Sequence, residues 1–386
     1  MRSGRSDPKA GCGHKGFIYG QALGRVLMND EAYHKLAKVL DTLPNGFPST
    51  PSGIEIAILK RIFEPDEAEL FCDLRLTPET AEEISARTGR PLEGLEQKLV
   101  SMGQRGELTA FEVDGVMRFK MVPWVVGIYE FQLKRMDREF ALMCEEYSKN
   151  WGRQYMRYGP KIMQVVPIEK EIPVKQEALT YHQVSNLIES ARSYMVNECI
   201  CKKKQGLLGK PCSRPLEVCL AMAPIPGVFE KSTLGGKVIS KEEAYEVLRK
   251  SEEAGLVHLT SNVESGHWFI CNCCGCCCGV LSALKAGSPN AVNSHYYAEI
   301  DPELCVGCGV CADERCQVDA IEKGDDFCSV ITAKCIGCGL CASTCPEEAI
   351  KMVHKNPEER IRPPKDEAAW LEERGRQRGV DFSRYK

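Results

Sequence analysis

The spacing of apolar residues changes several times along the chain, and each change predicts a different element. "DEAYHKLAKVLDTL" carries apolar residues at helical spacing, and "PNGFPSTPSG" then breaks the pattern with Pro and Gly. Residues 1–52 read as a short, partly helical lead. From Gly53, "GIEIAILKRIF" is an amphipathic helix. "TPETAEEISARTG" follows, with Thr77 as N-cap, Pro78 at the first helical position and Gly89 as the stop. "PLEGLEQKLVSMGQRGEL" predicts another helix. "TAFEVDGVMRFKMV" alternates around Asp114-Gly115, a strong hairpin signal. "PWVVGIYEFQLKRMDREFALMCEEYSKNW" predicts one long helix leading away, which closes a unit at 53–150.

The proline-broken "VVPIEKEIPVKQEA" is a linker or an extended strand. Residues 165–292 then mix both periods. "YHQVSNLIESARSYMVNECIC" is a helix feeding a strand that ends in cysteines, and "SKEEAYEVLRKSEEAG" is a helix with a capping box from Ser240 to Glu243. "LVHLTSN" and "WFI" are short strands, and "GVLSALKAG" is a helix. Residues 293–354 form a cysteine-rich module, and 355–386 a charged tail predicted to wrap a partner or its own surface. The fold class is α+β and multidomain, with a cysteine-rich central α/β domain. The helix, turn, helix, hairpin order of the first unit resembles a winged-helix domain in arrangement, without any chemical motif.

The 386 residues suggest two to three domains, with enough chain to bury ordinary cores. A net charge of −4 makes nucleic acid an unexpected partner. The predicted recognition helix sets Lys98 and Arg105 against Glu93, Glu96 and Glu107, which is no basic face, so it favours protein docking over DNA. "MRSGRSDPKAGCGHKGFIYG" has no apolar signal core, and no apolar run reaches the ~18 residues of a membrane span. The expected location is cytoplasmic.

Cysteine changes the picture most. Of 22 cysteines, Cys12, Cys72 and Cys144 stand alone, and the other nineteen lie between residues 199 and 345. In a reducing cytosol, clustered thiols read as metal or redox ligands rather than as disulfides. Cys72 and Cys144 fit helical faces as buried thiols. Cys12 with His14 reads as an incidental pair, and His258 and His267 as structural histidines flanking the cysteine run.

Residues 305–345 repeat with a period of thirty: "CVGCGVCADERC" aligns with "CIGCGLCASTCP". The second half has the ligand spacing of a bacterial-type ferredoxin, whose fourth cysteine serves the other cluster. Each iron of a cubane needs one thiolate. Tight Cys-x2-Cys turns with Gly307, Gly309, Gly337 and Gly339 present three from one loop, with backbone N–H groups near the cluster. The module resembles a two-[4Fe–4S] ferredoxin. That resemblance implies one cluster on Cys305, Cys308, Cys311 and Cys345, and a second on Cys335, Cys338, Cys341 and Cys316. One departure stands out: four residues separate Cys311 from Cys316, and Gln317 replaces the usual proline, which leaves the role of Cys316 open.

"ECICKKKQGLLGKPCSRPLEVC" offers Cys199, Cys201, Cys212 and Cys219 for a third [4Fe–4S] cluster, with a lysine run to offset its charge; zinc also suits four thiolates. "CNCCGCCC", residues 271–278, has six thiols in eight residues, more than one cubane can use. A helix N-terminus after it favours an anionic cluster. Cys271, Cys273, Cys274 and Cys277 are the expected ligands of a fourth cluster, unless both runs share one. No dinucleotide or phosphate-loop motif is present, so neither NAD, flavin nor nucleotide is expected.

Together these motifs resemble a family of multi-cluster 4Fe–4S ferredoxin-domain proteins of anaerobes. The Cys-Cys-Gly at 273–275 is also similar to the cysteine-rich domains of heterodisulfide-reductase-like proteins, which hold unusual clusters. The resemblance implies electron transfer in anaerobic metabolism, as an electron-carrier subunit of an oxidoreductase or a component of a larger complex, with partner oxidoreductases or soluble redox proteins. The alternatives are a redox-sensing winged-helix regulator and a thiol/disulfide reductase with an open cluster at 271–278.

Overall fold

The computed structural model describes residues 30–168, 171, 183–230 and 235–386. Cys12, His14 and most of the "VVPIEKEIPVKQEA" segment lie outside the described residues.

The first unit packs helices at residues 30–42, Ile54–Ile62, Pro65–Phe71, Ala81–Thr88 and Leu95–Gln104 around a core that includes Leu36, Leu40, Ile58, Phe71, Leu99 and Phe119. Strands β1 (Thr109–Val113) and β2 (Val116–Lys120) form the expected hairpin. Its turn residues Asp114 and Gly115 take φ of 52° and 79°, the conformation that a two-residue hairpin turn demands. Two expectations fail. The helix N-cap is Thr80 rather than Thr77, and its capping box closes with Glu83. Residues before it are held extended because Glu79 exchanges backbone hydrogen bonds with Phe119 at 2.9 and 2.8 Å. The long helix also starts late, at Arg138, and runs to Tyr155. Asp137 caps it by accepting from the Phe140 N–H at 2.9 Å, while Trp124–Arg135 is irregular and short-turned.

The central domain is built on a seven-stranded sheet: β3 (Met163–Val165), β4 (Ser193–Glu198), β5 (Glu217–Ala223), β6 (Lys237–Ile239), β7 (Val257–Ser261), β8 (Phe269–Cys273) and β9 (Val292–Asn293). Their order is β6-β4-β5-β8-β7-β3-β9, antiparallel except for β3–β9. The helix Lys241–Glu253 covers β4 and β5 and begins with the expected Ser240–Glu243 box. The cysteine run leaves the sheet at the end of β8, near its centre, and enters the helix Gly279–Lys285.

Two small ladders make the last module: β10 (Tyr296–Ile300) with β13 (Ile350–His354), and β11 (Ile321–Lys323) with β12 (Cys328–Val330). The tail folds back as a helix, Glu367–Arg378, and places Phe382 and Tyr385 in the core of the first unit. Among the described residues, no helix is long and apolar enough to cross a membrane.

Candidate metal centres

In the C-terminal module the two thiol sets surround two cavities. Cys316, Cys335, Cys338 and Cys341 line one, walled by Ala298, Val318, Ile336 and Leu340. Backbone donors aim at its sulfurs: Cys335 Sγ accepts from Ala298 and Gly337 at 3.4 Å each, and Cys316 Sγ from Ala320 at 3.2 Å. Gly337 makes this approach possible. It has φ of 57°, and a Cβ there would lie 2.3 Å from the Tyr296 carbonyl oxygen. Cys305, Cys308, Cys311 and Cys345 line the other cavity.

Burial pushes the Cys338 and Cys311 thiols up to about 12. A free thiolate is therefore disfavoured in these walls, yet N–H groups point at the sulfurs as they would at charged ligands. Thiols lining a cavity, with backbone donors on some of their sulfurs, fit a cluster whose irons would offset the thiolate charge.

Cys328 also lines the cavity of Cys305, Cys308, Cys311 and Cys345, and spacing did not point to it. It is buried on β12, and its N–H donates to Cys305 Sγ at 3.5 Å. It lies in no Cys-x2-Cys run, so nothing in the sequence marked it.

The long loop before Cys316 is absorbed locally. Cys311–Arg315 forms a five-residue turn closed by the Cys316 N–H on the Cys311 carbonyl at 3.0 Å. The added length sends Arg315 into the central domain, where its guanidinium donates to the Glu252 and Glu253 carbonyls at 2.7 and 2.9 Å. Gln317 has a specific partner too. Its Oε1 accepts from the Gly275 N–H at 3.0 Å, within the cysteine run.

The ten central thiols divide differently from expectation. Cys212, Cys274, Cys276 and Cys277 come together with all four Sγ atoms within 4.8 Å of one another. The second group is Cys199, Cys201, Cys219, Cys271, Cys273 and Cys278. Within it Cys199 interacts with Cys201, Cys219 with Cys271, and Cys273 with both Cys271 and Cys278, each shifting the other's thiol. Thus Cys212 leaves the expected set of Cys199, Cys201 and Cys219, and the set of Cys271, Cys273, Cys274 and Cys277 splits in half.

The reason is strand geometry. Cys271 and Cys273 are two apart on β8 and share a face. The Leu220–Ile270 pairing continued by one step brings Cys219 opposite Cys271. Cys274–Cys277 is the turn beyond the strand, closed by Cys278 N–H on the Cys274 carbonyl at 3.1 Å, and it reaches the loop that carries Cys212.

Lys202 is buried against the six-thiol group and donates to the Pro215 carbonyl at 2.9 Å. It is an electrostatic neighbour of Cys199 and Cys271. Cys201 beside it lowers the Cys199 thiol, which favours the thiolate at that position.

The remaining candidates are structural. Cys72 and Cys144 are buried, and burial raises both to about 12. His258 Nδ1 shares a hydrogen bond with Asn272 Oδ1 at 2.5 Å, and His267 Nδ1 with Thr260 Oγ1 at 3.2 Å.

Residues 298–352 match a family model described as a 4Fe-4S dicluster domain. That span contains the cysteines of both cavities of the module. The chain therefore carries an iron–sulfur domain of the ferredoxin type, and its cysteine groups support iron–sulfur clusters as the cofactors. No curated relative matches the chain.

Proposed function

We propose that the protein relays single electrons through several [4Fe–4S] clusters to or from a partner oxidoreductase. Cys305, Cys308, Cys311 and Cys345 hold one cluster; Cys316, Cys335, Cys338 and Cys341 hold a second; the group of Cys199, Cys201, Cys219, Cys271, Cys273 and Cys278 holds a third. Bound clusters supply one-electron redox chemistry. The residues supply spacing, N–H donors to sulfur and the buried Lys202 ammonium, which favours negative charge beside it.

The observation that carries this reading is the join between the modules. Gly275 in the central cysteine run touches Gln317, the residue after Cys316, with no room between them. A relay needs its sites adjacent, and this contact supports that reading.

The outer end suits a protein partner. Cys308 is exposed, and Leu304, Val306 and Phe327 stand around it with 47%, 63% and 44% of their surface exposed. An apolar patch beside a redox site is a docking feature for a redox protein. The regulator alternative gains no support from the helix Leu95–Gln104. Lys98 is tied to Asp66, and Arg105 to Glu67 and Glu107, so its cations are spent within the unit.

Anaerobic purification with iron and acid-labile sulfide analysis tests the proposal. Three cubanes require about twelve irons per chain, and Cys335→Ala should remove about four. A count of about eight in the wild type would confine clusters to the ferredoxin module and end the claim of a central relay site.

A further inference from the structure

The quartet Cys212, Cys274, Cys276 and Cys277 has dimensions that the other thiol sets lack. Its sulfurs stand 3.8 Å apart for Cys212–Cys274, 3.7 Å for Cys212–Cys276 and 3.6 Å for Cys276–Cys277. Four sulfurs placed tetrahedrally about one zinc at ~2.3 Å lie about 3.8 Å from one another. A cubane interposes four irons and their sulfides, which holds its thiolates further apart. Among the described residues, no other group of three or more Cys, His or acidic ligand atoms lies within 4.8 Å of one another. The ferredoxin cysteines, which line the two cavities of their module, fail that criterion, and the quartet meets it.

We infer that Cys212, Cys274, Cys276 and Cys277 form a closed tetrathiolate site for a single zinc ion, separate from the iron–sulfur clusters. Three ligands come from one tight turn and the fourth from the loop after the helix Ile200–Leu207, a chelate that joins two segments 62 residues apart. The backbone N–H groups of Arg214 and Cys277 favour the charged forms of Cys212 and Cys274, respectively. Such donors spread the negative charge of a zinc tetrathiolate and orient its ligands. Zinc carries no redox chemistry. Its work here is positional: it fixes the Cys274–Cys277 turn, whose Gly275 seats against Gln317 beside Cys316. The site thus sets the distance between the ferredoxin module and the six-thiol group. It also accounts for the thiol surplus of the run, since four of the ten central cysteines leave six for the cluster pocket.

The test is elemental analysis and zinc-edge X-ray absorption on the full chain, purified anaerobically from cells grown with iron in excess. The expected result is about one zinc per chain with four sulfur neighbours at ~2.3 Å. Cys276→Ser, at the most exposed ligand, should cut bound zinc at least fivefold and leave iron unchanged. Absence of zinc in the wild type, nitrogen or oxygen in its shell, a lone iron with four sulfurs instead, or loss of about four irons in Cys276→Ser would each overturn the assignment. Failure of the electron-transfer reading shows separately, as iron missing from the ferredoxin module or from the six-thiol group.

Discussion

Gln317 shows how much a single side chain can decide. Where the ferredoxin pattern has proline, this chain has an acceptor for the Gly275 N–H, and Gly275 has no Cβ because one would meet the Gln317 carbonyl oxygen at 2.2 Å. Gly275→Ala therefore has to displace backbone. It should cost about 1–3 kcal/mol, as overpacking does, read as a lower midpoint in thermal unfolding of the anaerobic protein. Gln317→Pro removes the acceptor, the Nε2 donation to the Arg315 carbonyl and a backbone N–H, and should cost about 1–3 kcal/mol by the same readout. The missing proline was legible in the sequence, but its meaning was not, because the partner lies 42 residues away. Cys328 was illegible for a related reason. A thiol delivered by a strand pairing has no spacing rule to announce it.

Among the elements, the turn Cys311–Arg315 and the helix Lys241–Glu253 act as a pair. At the end of the helix Arg315 donates to the carbonyls of Glu253 and of Glu252, the latter also accepting from the Gly255 N–H at 2.9 Å, with its Nε held by the Leu340 carbonyl at 3.2 Å. Arg315→Ala strips all three bonds. A loss of about 2–4 kcal/mol is expected from hydrogen bonds to a charged donor, with faster proteolysis between the central and ferredoxin modules as the readout. An unchanged cleavage rate would show that the modules dock without it. Elements specified by local chemistry were legible: the Asp114-Gly115 hairpin, the Ser240–Glu243 box, the helix stop at Gly89. The N-cap at Thr80 was misplaced because a long-range bridge from Glu79 to Phe119 overrode a plausible local start. The division of the central thiols was hidden likewise, since strand alternation and a turn sort cysteines that sequence shows only as neighbours.

At the scale of the whole molecule, the tail is a clamp. Arg374 is fully buried and spans three segments, donating to the carbonyls of Pro44 at 3.1 Å and Tyr158 at 2.7 Å and also to that of Tyr155. Its guanidinium lies 4.5 Å from the Tyr155 ring centre and 5.2 Å from that of Trp370. Arg374→Ala should destabilise by about 3–5 kcal/mol, because buried carbonyls lose a charged donor. Arg374→Lys should recover little of that, since a point charge cannot match a planar fork. Denaturant midpoints of the two variants against wild type check both statements, and full rescue by lysine would refute the packing argument.

The same clamp has a temporal consequence. Phe382 and Tyr385 belong to the core that holds Leu36 and Phe71, and Tyr385 accepts from the Leu76 N–H at 2.7 Å. On the ribosome, the first unit is thus missing part of its interior until the ferredoxin cysteines have already been made. Every thiol from Cys199 to Cys345 emerges while the molecule is still open, before the strap from residue 367 onward can close over it.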